Sequence, residues 1–144
     1  MKRPTIALLT LSLMFGSVNV LAEGERLASE DKGFSIFMLV KTTDAWLNLK
    51  PRARFAFLDR EVQPLLGEHP AVSMKFWDTE HFSARITDVI LLETQDLGQY
   101  RSLIEKLRES KFWGHYFEII DILPGIENAY ADAYDAEPYG QDRD

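Results

Sequence analysis

The chain has no cysteine among its 144 residues. This excludes disulfides, thiolate metal sites, a cysteine nucleophile and a lipidated N-terminal cysteine, so the fold must hold together by packing alone. Positive charge is also scarce, with 16 Lys and Arg against 23 Asp and Glu and a formal net charge of −7. A surface this acidic repels phosphate backbones, and no basic stripe interleaved with aromatics occurs, so nucleic acid is not an expected partner. The eight glycines are dispersed. None forms G-x-G-x-x-G or a phosphate loop, so dinucleotide or ATP use through those motifs is not expected. No G-x-S-x-G elbow surrounds Ser83, which leaves hydrolase chemistry of that kind unsupported. No motif implies a cofactor.

Long apolar runs are missing as well. Ile6 to Phe15 is apolar, follows Lys2 and Arg3, and precedes Val20, Leu21 and Ala22. These are the basic region, apolar core and cleavage boundary of an export leader. The core is shorter than the roughly 20 residues that a spanning helix needs, so no stable membrane insertion is expected after cleavage. Cleavage after Ala22 would release a periplasmic or secreted protein beginning at Glu23. Losing Lys2 and Arg3 takes the formal charge from −7 to about −9. The expected organisation is a leader at 1–22, a flexible arm at 23–33, an α+β domain at 34–130 and an acidic, partly disordered tail at 131–144.

Within the domain the pattern reads strand, helix, strand, strand, helix, strand. Phe34 to Lys41 alternates, with Ile36, Met38 and Val40 on one face and Phe37 and Leu39 on the other. Thr43 or Asp44 caps a short turn holding Trp46, and Pro51 suits the first turn of the next helix because its missing N–H would lack a partner there. Phe55, Leu58, Val62 and Leu65 recur at helical spacing and are expected against the sheet, with a kink from Pro64 before Gly67. Ala71 to Asp78 and Ser83 to Thr94 read as a hairpin joined by residues 79–82. Asp96 caps a helix carrying Leu97, Tyr100, Ile104 and Leu107 on one side. Phe112 and Trp113 read as core closure, and Phe117 to Leu123 as a last strand ended by Pro124 and Gly125. The order predicts a ferredoxin-like βαββαβ sandwich with a four-stranded antiparallel sheet. Two helices cover only one sheet face, so the apolar second face predicts a homodimer.

The segments FMLVKTTDAWL (Phe37 to Leu47), RFAFLDREVQPLLGEHPAV (Arg54 to Val72), FWDTEHFSARITDV (Phe76 to Val89) and FWGHYFEIIDILPGIENAY (Phe112 to Tyr130) together resemble the darcynin family of small bacterial proteins. That resemblance implies no activity, since the family is functionally uncharacterised. The element order also resembles the dimeric α+β barrel superfamily, in which two ferredoxin-like subunits pack sheet against sheet and enclose cavities. Its members include cofactor-independent monooxygenases, isomerases, haem-handling proteins and modules without catalysis. Fold alone does not choose among them.

The densest chemistry lies in WDTEHFSARITD, Trp77 to Asp88. Trp77 and Arg85, read on the face away from the helices, would line a cavity mouth where an aromatic wall and a fixed cation orient a small anionic or aromatic ligand. In that reading His81 would be the proton-exchanging group. The competing reading is a polar hairpin tip with Arg85 paired and His81 in water. A metal site from Asp78, Glu80 and His81 is rejected because the turn leaves the histidine without a placed partner. His69 is expected to satisfy helix-terminal carbonyls, and His115 and Tyr116 to pack. Asn48, Trp46 and His115 are the residue types that haem handling would want, without positional support. Two functions follow. One is a non-catalytic module binding a small ligand or partner through Trp77, His81, Arg85 and Asp121. The other is a cofactor-independent enzyme with Arg85 as anchor and His81 or Asp121 as acid or base.

Overall fold

The computed structural model describes residues 32–140. The leader, the arm up to residue 31 and the last four positions lie outside the described residues. Strict alternation builds β1 (Phe34–Thr42), burying Ile36, Met38 and Val40 on one face. With β2 (Val72–Asp78), β3 (Asp88–Thr94) and β4 (Phe117–Ile126) it forms an antiparallel sheet in the order β2-β3-β1-β4. The helices pack over the face carrying Ile36, Met38, Ile90 and Leu92. This is the expected ferredoxin-like α+β sandwich.

The first crossover begins with α1 (Asp44–Leu47), where the Trp46 N–H donates to Thr43 Oγ1 at 3.4 Å. Pro51 opens α2 (Pro51–Phe57), a π-helical turn follows at Leu58–Val62, and α3 (Gln63–Glu68) completes the segment. Val62 is buried and Leu58 and Leu65 pack on the core, as their spacing predicts, but Phe55 is 67% exposed and Phe57 takes its place. The π turn is the reason. Closed by the Gln63 N–H on the Leu58 carbonyl, it inserts one residue into the helical phase, so the inward position falls five residues before Val62. Pro64 follows directly. In α-helical register its ring would crowd the Arg60 carbonyl, and a wider turn relieves that clash upstream of the position where a kink was expected.

Asp96 caps α4 (Leu97–Glu109), accepting from the N–H groups of Gly98 and Gln99 at 2.8 and 3.0 Å. Leu103 and Leu107 are fully buried, while Leu97 at the first position is exposed. Phe112 is also fully buried, and the Arg108 guanidinium lies 5.2 Å over the Trp113 ring. Trp46, Phe57 and Tyr116 pack edge to face beneath the first crossover and Phe117 lies tilted against Trp46, with centroids 4.8 to 6.1 Å apart.

Two strand limits differ from expectation. β4 continues through Pro124 and Gly125 to Ile126, pairing Pro124 with Ile36. It is an edge strand, where a residue without an N–H costs no ladder bond on the open side. β3 begins at Asp88 rather than Ser83, so the connection runs from Thr79 to Thr87. Ser83 Oγ accepts from the N–H groups of Arg85 and Ile86, both at 3.2 Å, and the Thr79 carbonyl accepts from Phe82 and Ser83. These local bonds take the backbone out of the ladder. Beyond β4, α5 (Ala129–Ala133) buries Ala131, and Asp132 pairs with Lys32 at 2.6 Å.

Candidate functional site

Register across the sheet decides which side chains share the face away from the helices. Trp77 pairs with Val89, Val89 with Leu39, and Leu39 with Asp121, forming one transverse row. The next row is Lys75, Leu91, Phe37 and Leu123, and the third is Ser73, Glu93, Ser35 and Gly125. Phe37, Leu123 and Trp77 are 41%, 48% and 57% exposed among the described residues. Lys75 Nζ and Glu93 Oε2, 2.7 Å apart, form an ion pair across β2 and β3 on this face, and the lysine holds the Glu93 carboxyl below its ordinary value.

Trp77 and Asp121 therefore occupy the same row and the same face, but at opposite edges of the sheet. Three strand spacings, about 14 Å, separate their backbones, so they do not converge on one small ligand within a subunit. Asp121 is exposed, and its Oδ1 accepts from the Ile122 N–H at 2.8 Å. His81 and Arg85 lie exposed on the Thr79–Thr87 connection, beyond the end of the strand pairing. The His81 ring lies edge-on to Phe82, with centroids 6.3 Å apart. Arg85 thus lacks the strand position from which it was expected to share a face with Trp77.

Asp88, at the start of β3, is half-buried. Its Oδ2 accepts from the Thr87 hydroxyl at 2.6 Å. Burial pushes its carboxyl above the ordinary value, the Thr87 bond opposes that shift, and Asp78 and Glu80 add to it. Strand alternation places Asp88 on the helix side, opposite Val40, and the shift itself depends on where β3 begins. His69 does cap α3: Nδ1 lies 2.7 Å from the Leu65 carbonyl oxygen and Nε2 2.9 Å from Ser102 Oγ.

Among the described residues no group of three or more His, Asp or Glu is arranged to hold a metal. Trp46 is locked in the aromatic core, while Asn48 and His115 are exposed. Among the described residues the three do not line a common groove. One groove collects side chains that sequence spacing does not connect. It has a volume of about 770 Å³, lies between α2 and the end of α4, and is lined by Lys50, Arg52, Arg60 and Lys111.

A family model described as "Darcynin, domain of unknown function" matches residues 22–141. The chain belongs to the darcynin family. The darcynin homolog of Granulibacter bethesdensis is 44% identical over 107 residues, covering 74% of this chain and 86% of the relative. That of Streptomyces avermitilis is 46% identical over 103 residues, covering 71% and 85%. Among solved structures, this darcynin is similar to a point variant of chlorite dismutase from Candidatus Nitrospira defluvii. The TM-score is 0.57 at 20% identity, over 77% of this chain and 50% of that one. The same enzyme in complex with imidazole gives 0.55 at 13% identity, over 72% and 43%. The chain spans about half the length of these structures, and at such identities the likeness shows the fold alone.

Proposed function

We propose that this darcynin is an exported binding module whose open sheet face is its recognition surface. In this reading a second copy closes over the face, and a small anionic or aromatic ligand is held between the subunits. Trp77 and Asp121 would act from the sheet, with His81 and Arg85 at the rim. The observation that carries this reading is the pair of apolar rows through Leu39 and Phe37, left uncovered among the described residues. Contiguous apolar surface of this kind marks an interface on soluble domains. The leader motif at residues 1–22 supports a periplasmic or secreted location.

Native mass spectrometry of protein purified from a native-type host tests these points together. The expected result is a dimer of chains beginning at Glu23 that retains a small molecule. A monomer, or a chain that keeps Met1 in a cytoplasmic fraction, would overturn the corresponding part.

A cofactor-independent enzyme acting on a small molecule is the second reading. It is favoured by Asp88, a carboxyl raised by burial beside the hairpin. His81 and Asp121 are exposed, which is poor support for either as a desolvated acid or base. Incubating the retained molecule with fresh protein separates the readings: a change in its mass supports the enzyme, and unchanged mass supports the binding module.

A further inference from the structure

We propose that the groove between α2 and the C-terminal end of α4 binds a small molecule carrying one anionic group on a flat apolar body. The site lies on the helix side of the sheet and does not depend on the reading of the open face. Its α2 wall follows helical spacing: Ala53, Ala56 and Phe57, then Arg60 in the π turn, all line the same groove. The two alanines leave room, and the volume of about 770 Å³ falls in the range of small-molecule sites.

Charge favours an anion. Lys50, Arg52, Arg60 and Lys111 line the groove, and none makes an ion pair among the described residues, although the chain carries 23 carboxylates. Two of those carboxylates, Glu61 and Glu109, also line it, and Glu109 is engaged by Lys106 at 3.6 Å. The cations therefore outnumber the acids locally in a protein whose net charge is −7.

Tyr116 supplies the second observation. It is 9% exposed, lines the groove, and its hydroxyl makes no hydrogen bond among the described residues. Its ring is held edge-on to Trp46 and Phe57 at 5.4 and 4.8 Å. No side-chain polar atom among the described residues is both sealed and unpartnered, so this hydroxyl keeps solvent access, and water or a ligand can supply the bond that the protein does not. The π turn bordering the site is a rare conformation that concentrates at functional sites. Here it turns Phe57 inward and supplies Arg60 and Glu61 to the wall. Beside the groove, Arg54 braces the turn between α1 and α2 by donating to the carbonyls of Trp46, Leu47 and Leu49 at 2.9 to 3.2 Å.

Titration of the isotope-labelled mature protein with benzoate and with phenyl phosphate, followed by amide chemical shifts, tests the proposal. Saturable shifts are expected across residues 49–61 and 109–116. The uncharged analogue benzamide should bind about tenfold more weakly, since the anion carries the recognition. Arg60→Ser and Lys111→Ser should each weaken binding by about fivefold, with the remaining spectrum unchanged. Lys111 lies outside the π turn, so its variant reports on charge even where Arg60→Ser disturbs the helix. Tyr116→Phe should cost about threefold. Shifts confined to the Thr79–Thr87 connection or the open sheet face would overturn the proposal, as would equal binding of benzamide or no saturation with either anion. Failure here leaves the dimer and its retained ligand as a separate measurement.

Discussion

His69 and Ser102 tie the first helical crossover to α4 through a 2.9 Å hydrogen bond between Nε2 and Oγ, while the other ring nitrogen caps α3 at the Leu65 carbonyl. A carbonyl can only accept, so Nδ1 donates there, and in the neutral ring Nε2 accepts from the serine hydroxyl. His69 is buried, so truncation removes packing and both bonds at once. His69→Ala is expected to lower stability by about 2 kcal/mol. Ser102→Ala should cost about 1 kcal/mol. Urea denaturation of the two variants and the double variant measures this, and additive losses would show that the two side chains act separately.

Asp88 sits where its charge is disfavoured. Because burial raises its folded-state value above the ordinary 3.8, the folded protein holds the proton more tightly than the unfolded chain. Stability from this group is therefore full below that value and falls as pH rises through the raised one. Asp88→Asn keeps an acceptor for Thr87 and removes the charge beside Asp78 and Glu80. Its melting temperature should exceed that of the parent at pH 7, and the difference should vanish on acidification to pH 3. A variant less stable than the parent at pH 7 would mean the ionised carboxylate is favoured.

Asp96 has the opposite sign. The Gln99 and Gly98 backbone bonds hold its carboxyl below the ordinary value, so its contribution is present above the unfolded value of 3.8 and is lost as pH falls through the lowered one. Asp96→Ala should lower the melting temperature at pH 7, and Asp96→Ser should recover much of that loss by capping the same N–H groups. The gap between parent and alanine variant should narrow in acid. A gap that stays constant from pH 7 to pH 2 would contradict the capping role.

Leu91 lies between Lys75 and Phe37 in the middle row of the open face. If a second copy covers this face, Leu91→Arg buries a charge in a desolvated interface and should halve the mass seen by light scattering at micromolar concentration. Far-ultraviolet circular dichroism should stay unchanged, because the side chain points away from the helix-covered core. A dimer that persists in the variant would assign the interface elsewhere.

Much of the architecture was legible in the chain because strand alternation and caps are local signals. Phe34 to Val40, the Thr43 and Asp96 caps, Pro51 at a helix start and His69 at a helix end all act through neighbours a few residues away. Phe55 misled because a π turn adds a residue without any change in apolar spacing that a helical count registers. Ser83 misled because its side chain bonds backbone N–H groups that the strand pattern assigned to the ladder, and this moved Arg85 from the sheet to a loop.

Local residue order alone determined the ferredoxin-like succession of elements, the absence of cysteine chemistry and the family. Each rests on composition, on period or on contiguous motifs. Only the tertiary structure decided that Trp77 and Asp121 share a face but stand at opposite edges, since strand order brings distant segments side by side in a register that neither segment encodes. It also brought Lys50 and Arg60 to face Lys111 and Tyr116 across a groove. Residues more than fifty positions apart meet there because both helical crossovers must lie on the same sheet face to bury it.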